Sequence, residues 1–281
     1  MGRRGRDDPI FKALRQLFGA TVLRVPDNRT KPLDVIAQRD GRGRWVGELE
    51  NAFGDTSASE GLKESVTPPY RVADISGKRS SALDTDIGLS VLDGLLKGFH
   101  MPSAKVSAQF KNARKLSFKF DDVKRLQVDA FLLGKTLDGQ QVRRVATTRL
   151  FFEEPRWDFL VLDSIVTSTD FSVKMEEAKE GAAGLDLGAI GKIVGDAKAN
   201  VTMSSVSDVE VSFQGPEALT CAFTALRFYL DPDGTVSRAD PEVGRVFLES
   251  ASRLEGADLD YTPDRVILPA EPTFFNWEDT S

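Results

Sequence analysis

Alternation of apolar and polar residues is the dominant signal along this chain. Ala104, Val106, Ala108 and Phe110 fall on one side of an extended backbone and Lys105, Ser107, Gln109 and Lys111 on the other. Past Asn112 and Arg114 the same phase resumes at Leu116, Phe118 and Phe120, so the pattern predicts one long strand over 104–120. A second alternating run, over about 159–175, places Ile165, Thr167, Thr169, Phe171, Val173 and Met175 on one face. A third keeps Val201, Met203, Val209, Val211 and Phe213 in a single odd-numbered phase through the polar interruption at Ser205 and Ser207. Between these runs the period changes to that of a helix, over about 86–99 and again over 183–194. With a further strand over 70–75, the grammar is strand, helix, strand, twice over. Two readings of the alternation stay open. Ordinary antiparallel strands turn one face to a core and one to water, whereas each arm also reaches the roughly 9–11 alternating residues that cross a bilayer as tilted strand.

Both intervening helices carry glycines, Gly88, Gly94 and Gly98 in the first and Gly184, Gly188 and Gly191 in the second. At about 1 kcal/mol each relative to Ala, they weaken each helix by about 2–3 kcal/mol. A helix that gives way to extended chain lengthens its flanking strands into one hairpin, so the sequence is compatible with two structures. Nearer the start, Asp8 and Pro9 open a short amphipathic helix whose apolar face is Phe11, Leu14, Leu17 and Phe18, ending at Gly19. Strands are expected over 21–25 and 33–37, on either side of a turn holding Pro26, Asp27 and Asn28. Residues 54–69 are small, polar and closed by prolines, and read as a surface loop or linker.

Charge divides the chain unevenly. Residues 231–281 hold twelve Asp and Glu against four Arg, a net −8, so the −6 of the whole chain leaves +2 for the part before them. A helix is expected over 241–254, and beyond it come Ile267, Leu268, Phe274, Phe275 and Trp277, too apolar for a solvated tail. Burying each against the rest of the protein contributes about 1.5–3 kcal/mol before ordering costs. An acidic yet anchored tail reads as a latch on the core; the alternative is a terminal segment that completes the fold.

The remaining composition removes function classes. The 281 residues, 41% of them hydrophobic, supply an ample core for a soluble protein of one large or two modest domains. No apolar run approaches the roughly 20 residues of a membrane helix, and residues 1–8 lack the apolar stretch of a secretory signal, so a cytoplasmic start is expected. The one cysteine, Cys221, rules out an intrachain disulfide and sits in an apolar run as a packed thiol. The one histidine, His100, lies at a helix end, leaving no basis for a zinc site or a Ser-His-Asp triad. The carboxylate pairs Asp121-Asp122, Glu153-Glu154 and Glu176-Glu177 are adjacent in sequence, which sends them to opposite faces of a strand. No phosphate loop or dinucleotide fingerprint is present, no cofactor is implied, and an enzyme is not expected. Arg3, Arg4 and Arg6 lack the interleaved aromatics of a nucleic-acid surface.

The segments ADISGKRSSALD (73–84), FKNARKLSFKF (110–120), VTSTDFSVKMEEA (166–178) and VSFQGPEALTCAF (211–223) resemble bacterial gasdermins, and the opening helix and PLDVI (32–36) fit the same family. The resemblance runs colinearly over about 9–230. It implies an α+β fold, a twisted and mainly antiparallel central sheet with peripheral helices, over residues 1–254. It further implies an inhibitory peptide over 255–281, with the boundary falling within 231–265.

The activity implied is pore formation in antiphage defence. A protease removes the C-terminal peptide, and the two strand-helix-strand units refold into hairpins. Many copies then close a β-barrel in the inner membrane, whose leak kills the cell. Closure solves a physical problem, because unpaired strand edges are costly in hydrocarbon. The membrane-inserting strand faces are then Val106, Ala108, Phe110, Leu116, Phe118, Phe120, Ile165, Phe171, Val173, Val201, Met203, Val209, Val211 and Phe213. Lys105, Lys111, Asp170 and Lys174 fall on the opposite, channel-lining side. Asp258, Asp260 and Asp264 suit a caspase-like protease, and Arg253 or Arg265 a trypsin-like one. Many members of the family carry an acylated cysteine within the first few residues, which this chain lacks; Arg3, Arg4 and Arg6 are candidates to attract anionic headgroups in its place, at about 1 kcal/mol per charge. The rival from another class is a non-membrane binding or assembly protein whose acidic tail docks on its own core or on a partner.

Overall fold

Long runs of β-branched and aromatic residues at 158–178 and 210–230 make two strands of 21 residues each, and the rest of the fold is arranged along them. The structure is a computed structural model and describes residues 20–39, 42–53, 56–73, 75–153, 156–178, 184–197 and 200–242. In chain order the elements are β1 (Thr21–Asp27), β2 (Asp34–Arg39), β3 (Arg42–Glu48), α1 (Thr56–Ser65), β4 (Tyr70–Arg71) and β5 (Leu83–Asp84). Then come α2 (Thr85–Gly98), α3 (Ser103–Ser107), β6 (Ala113–Asp121), β7 (Lys124–Gln127), α4 (Ala130–Leu137) and β8 (Asp158–Ala178). The last are α5 (Leu187–Asp196), β9 (Thr202–Ser207), β10 (Glu210–Leu230) and β11 (Val236–Glu242). The opening helix over 8–19 with Arg3, Arg4 and Arg6, and everything after Glu242, including the cleavage and latch residues, lie outside the described residues.

The two long strands, β8 and β10, pair antiparallel as a spine. The free edge of β8 takes β2, then β7, then β6, and that of β10 takes β11, then β1, then β9. The result is the expected α+β architecture, a curled antiparallel sheet with peripheral helices. One core packs α2 and α5 on the half of the spine that carries β6 and β9; another packs α1 and α4 on the half that carries β2.

Several elements differ from the sequence pattern. Residues 104–110 are not strand but α3 followed by a 3₁₀ turn at Ala108–Phe110. Val106 and Phe110 are four apart, so a helix sends both into the core and turns Ala104 and Ala108 outward. In a run this short, periods of two and of 3.6 are hard to tell apart. Residues 56–65, expected as loop, form α1, whose Leu62 anchors it on the second core. The expected strand over 70–75 is two residues long, then turns through Val72 and Gly77 (φ +80°). Residues 201–213 are not one strand but the β9–β10 hairpin, with Asp208 and Val209 at its turn. The phase persists across that turn because Met203 pairs with Phe213, odd opposite odd. Pro241 and Glu242, expected to start a helix, end β11 instead. The sequence pattern gives no expectation of strands β3, β5, β7 and β11, of β10 beyond Phe213, or of helix α4.

The helix glycines fall into two groups. A Cβ on Gly88 of α2 would lie 2.8 Å from the Cβ of Leu116, and one on Gly98 would lie 2.5 Å from the carbonyl oxygen of Pro26. Both allow α2 to sit close on the sheet, so its glycines are not simply weak points. In α5, Gly188 and Gly191 meet nothing nearer than 3.5 Å and Gly195 meets nothing within 4 Å, while Gly184 precedes the helix. Of the two covering helices, α5 is the one that carries its glycines without a packing reason.

Asp34 opens β2 with 2% exposure. Its Oδ2 accepts a hydrogen bond from the Lys31 amide at 2.9 Å, while Oδ1 has no partner. Burial, opposed by Lys31 and Trp45, pushes its carboxyl from 3.8 up to about 6. A carboxyl that is harder to ionise in the folded state stabilises the fold fully below its unfolded pKa, and that contribution is lost as pH rises from about 4 through 6.

Two outcomes follow. In denaturant unfolding, Gly98→Ala costs about 1–3 kcal/mol through overpacking, whereas Gly195→Ala gains about 0.5–1 kcal/mol from helix propensity alone. Asp34→Asn gains stability relative to the parent by about 2.5 kcal/mol between pH 4 and pH 7, read as the difference of the two pH–stability curves.

Candidate functional site: a two-faced ribbon of four strands

Strands β6, β8, β10 and β9 lie side by side in that order, and their registers align side chains in rows across the ribbon. One row is Phe120, Phe171, Phe213 and Met203; the next apolar row is Phe118, Val173 and Val211, and beyond it Leu116 meets Met175. Since successive residues of a strand point to opposite faces, the rows on either side of the Phe120 row are polar. They are Asp121, Asp170, Gln214 and Thr202, and then Lys119, Ser172, Ser212 and Ser204. The ribbon is apolar on one face and polar on the other, except on β9, where Ser205 stands opposite Val211 and Val206 is exposed.

Helices cover the apolar face. Leu92, Leu95 and Leu96 of α2, Phe99 just after it, and Ile190 and Val194 of α5 share one core cluster with the apolar rows. The Phe171 ring stacks at 5.2 Å on Phe213 and at 5.7 Å on Phe99. On the polar face, the Arg79 guanidinium reaches from the edge of β6 past Ser117 to Glu210 of β10, at 2.6 Å. Lys174 pairs with Glu176 at 2.7 Å, and the Ser117 hydroxyl donates to the same carboxylate.

Most of the expected strand-face residues are brought together here. Phe118, Phe120, Leu116, Phe171, Val173, Val211 and Phe213 are buried in one cluster, with Val201, Met203 and Val209 packed on it. Val106 and Phe110 join that cluster from helical turns rather than from a strand, and Ala108 faces outward. Ile165 belongs elsewhere. It packs with Leu23, Ile36 and Phe223 in a separate cluster, while its neighbour Val166 joins the apolar rows. The phase of β8 therefore changes between Val166 and Phe171, where the Ser168 hydroxyl bonds the backbone of Asp170 and the register with β10 shifts. Asp170 and Lys174 lie in polar rows, but Lys105 and Lys111 are on α3 and the turn after it.

Sequence reading missed three contributors: Arg79, Phe99 and Gly215. Only the glycine left a visible trace, as the QGPE interruption in an otherwise apolar run.

Little else in the described residues resembles a reactive centre. Cys221 is buried, and desolvation pushes its thiol up to about 12, so it stays protonated. His100 ends α2 in the left-handed region (φ +56°) with its amide bonded to the Lys97 carbonyl. The adjacent carboxylates are ion-paired: Asp121 with Lys119, Asp122 with Lys124 and Arg71, Glu176 with Lys174 and Glu177 with Lys115. Among the described residues no group of three or more His, Cys, Asp or Glu is placed to hold a metal ion. No helix among them is long and apolar enough to cross a membrane, which says nothing of strands.

Comparison with known proteins identifies the ribbon's family. The profile of the Bacterial Gasdermin Family matches residues 23–235. The chain is 28% identical over 238 residues to a gasdermin from a Desulfuromonadales bacterium, covering 83% of this chain and 86% of the relative. It is 26% identical over 263 residues to one from Vitiosangium sp., covering 90% and 97%. The fold also matches the structure of a bacterial gasdermin from Bradyrhizobium tropiciagri, with a TM-score of 0.59 at 16% identity over 86% of this chain and 94% of that one. A profile match across most of the chain, on a fold whose spine presents one apolar and one polar face, places this protein in the bacterial gasdermin family, among the pore-forming gasdermins.

Proposed function

We propose that this protein is an autoinhibited pore former of antiphage defence, released when a protease removes its C-terminal peptide. The observation that carries this reading is the ribbon of β6, β8, β10 and β9, with its apolar rows covered by helices that another environment could replace. Uncovered in water, those rows are a large exposed apolar patch; facing hydrocarbon, they are the outer wall of a barrel whose polar rows line the lumen. At nine residues β6 already reaches the length of a spanning strand, whereas β9, at six, does not. The missing length must come from the segment between β8 and β9, where the glycines of α5 have no packing role.

In this reading the acidic tail, through Ile267, Leu268, Phe274, Phe275 and Trp277, holds the inactive state. Cutting within 253–265 by a caspase-like or trypsin-like protease frees it. The core then meets the inner membrane, with Arg3, Arg4 and Arg6 drawn to anionic headgroups, and copies assemble until no strand edge is left open. A binding protein with a docked tail is the alternative. It is disfavoured because a rigid module has no use for glycine-weakened α5.

The test is dye release from liposomes of bacterial polar lipids, using the full chain with a protease site engineered at Asp260. Leakage is expected only after cutting, and an Arg3/Arg4/Arg6→Ser variant leaks more slowly on anionic vesicles. A cut chain that has lost its tail and still leaves the vesicles intact would sink the pore-forming reading. Leakage before cutting would instead remove the tail as the brake.

A further inference from the structure

At the end of α2 a side chain meets a glycine of the ribbon. Phe99, the first residue after α2, packs its ring into the space that Gly215 of β10 leaves open: a Cβ on Gly215 would lie 2.0 Å from Phe99 Cε1 and 2.3 Å from Cδ1. No side chain larger than hydrogen is compatible with the ring there. The same ring stacks on Phe171, and Phe171 on Phe213, so Phe99 caps the apolar row that runs across the ribbon.

The contact sits where both spine strands are irregular. On β10 the register jumps from Gln214, opposite Asp170, to Leu219, opposite Ser168, so that Gly215, Pro216, Glu217 and Ala218 face a single residue of β8. On β8 the inward phase changes between Val166 and Phe171. Above this belt the spine carries β1, β2 and β7; below it, β6 and β9. The belt is the root of the two-faced ribbon. A small pocket beside the ring, bounded by Leu95, Ser168, Asp170 and Cys221, leaves Phe99 held by the notch and the stack rather than enclosed on all sides.

The end of α2 is clasped from a second direction. Gly98 lies against the backbone of Pro26, and the turn between β1 and β2 is tied to the irregular segment of β10. Asn28 donates to Glu217 at 2.5 Å, and the Thr220 hydroxyl donates to the Thr30 carbonyl at 2.9 Å. The helix stops where it does because His100 takes a left-handed conformation, its amide bonding to Lys97 and that of Met101 to Leu96. This fixes the position from which Phe99 projects.

We propose that Phe99 in the notch of Gly215 is an internal lock on the ribbon, a second brake distinct from the C-terminal tail. The proposal rests on the pore-forming reading above, in which the apolar rows must shed α2 before they face lipid. Removing the tail then permits opening, while the rate of opening is set by withdrawal of Phe99 from the notch. The two residues act as one device: enlarging Gly215 expels the ring, and truncating Phe99 empties the notch.

The test uses the full chain with the engineered site at Asp260 and four variants: Phe99→Ala, Phe99→Leu, Gly215→Ala and the Phe99→Ala/Gly215→Ala pair. Two readouts are taken. The first is the lag before dye release once cutting is complete. The second is amide hydrogen exchange in α2 and α4 of the uncut chain. Phe99→Ala and Gly215→Ala each shorten the lag about tenfold or more, and Phe99→Leu less. The pair is no faster than Phe99→Ala alone, because the two changes remove one contact. In the uncut variants exchange quickens in α2 but not in α4, which reports that the fold is retained. Unchanged exchange in α2 would overturn the lock, whether or not the parent leaks. Faster exchange in α2 with the parental lag would overturn its role in opening. A lag for the pair much shorter than for either single change would overturn the coupling. If the cut parent stays silent, the pore-forming reading fails instead, and exchange in α2 still decides whether the clasp exists.

Discussion

An antiparallel ribbon with one apolar face cannot stand uncovered in water, and most of this structure is a response to that constraint. The rows Phe120–Phe171–Phe213 and Phe118–Val173–Val211 place six large side chains on one surface. At about 1.5–3 kcal/mol for burying each, their exposure would outweigh the net stability of an ordinary domain. Helices α2 and α5 supply the cover from within the chain. The polar rows on the other face are spanned by side-chain pairs, of which Arg79–Glu210 bridges from the edge of β6 to β10. On the pore-forming proposal such an arrangement has two low-energy environments, water with the helices in place and a bilayer with the helices displaced. The same pattern of residues serves both.

The two covers are built differently. α2 is brought close to the sheet by Gly88 and Gly98 and pinned by Phe99, so it is the tightly held element despite a composition that reads as weak. α5 has an Asp186 cap on its first turn and two buried anchors, Ile190 and Val194, but no close backbone approach at its glycines. Glycine count alone would rank the helices alike. The neighbours of each glycine separate them, because a missing Cβ costs helix propensity in both cases but is offset by closer packing in only one.

The spine also explains where the chain tolerates irregularity. Two strands of 21 residues do not stay in one register and one phase while the sheet curls; the largest shift falls at Ser168–Asp170 and Gly215–Ala218, and smaller ones follow at Thr220–Ala222 and Thr224–Ala225. Placing the largest irregularity of each strand at one level divides the ribbon from the rest of the sheet without a domain boundary in the sequence. Asp34, buried at the opposite end with one oxygen unpaired, carries a separate cost that neutral pH imposes on the folded state.

The sequence by itself determined the long strand β8, the two covering helices and the alternation of Leu116–Phe120, Phe171–Met175 and Val209–Phe213, because alternation over many residues is a local property of an extended backbone, whereas β10 beyond Phe213 showed only as an apolar run. It also carried the family resemblance that the profile match bears out. It did not determine the short elements. In 104–110 a period of two and a period of 3.6 fit equally well, and only the core space filled by Val106 and Phe110 chose the helix. In 201–213 the phase ran unbroken through a hairpin, because cross-strand pairing joined odd to odd. The face that Ile165 occupies, the closeness of Gly88 and Gly98 to the sheet, and the fit of Phe99 against Gly215 were decided by tertiary structure alone. Each depends on which residue, distant in sequence, comes within van der Waals reach, and no local period encodes that.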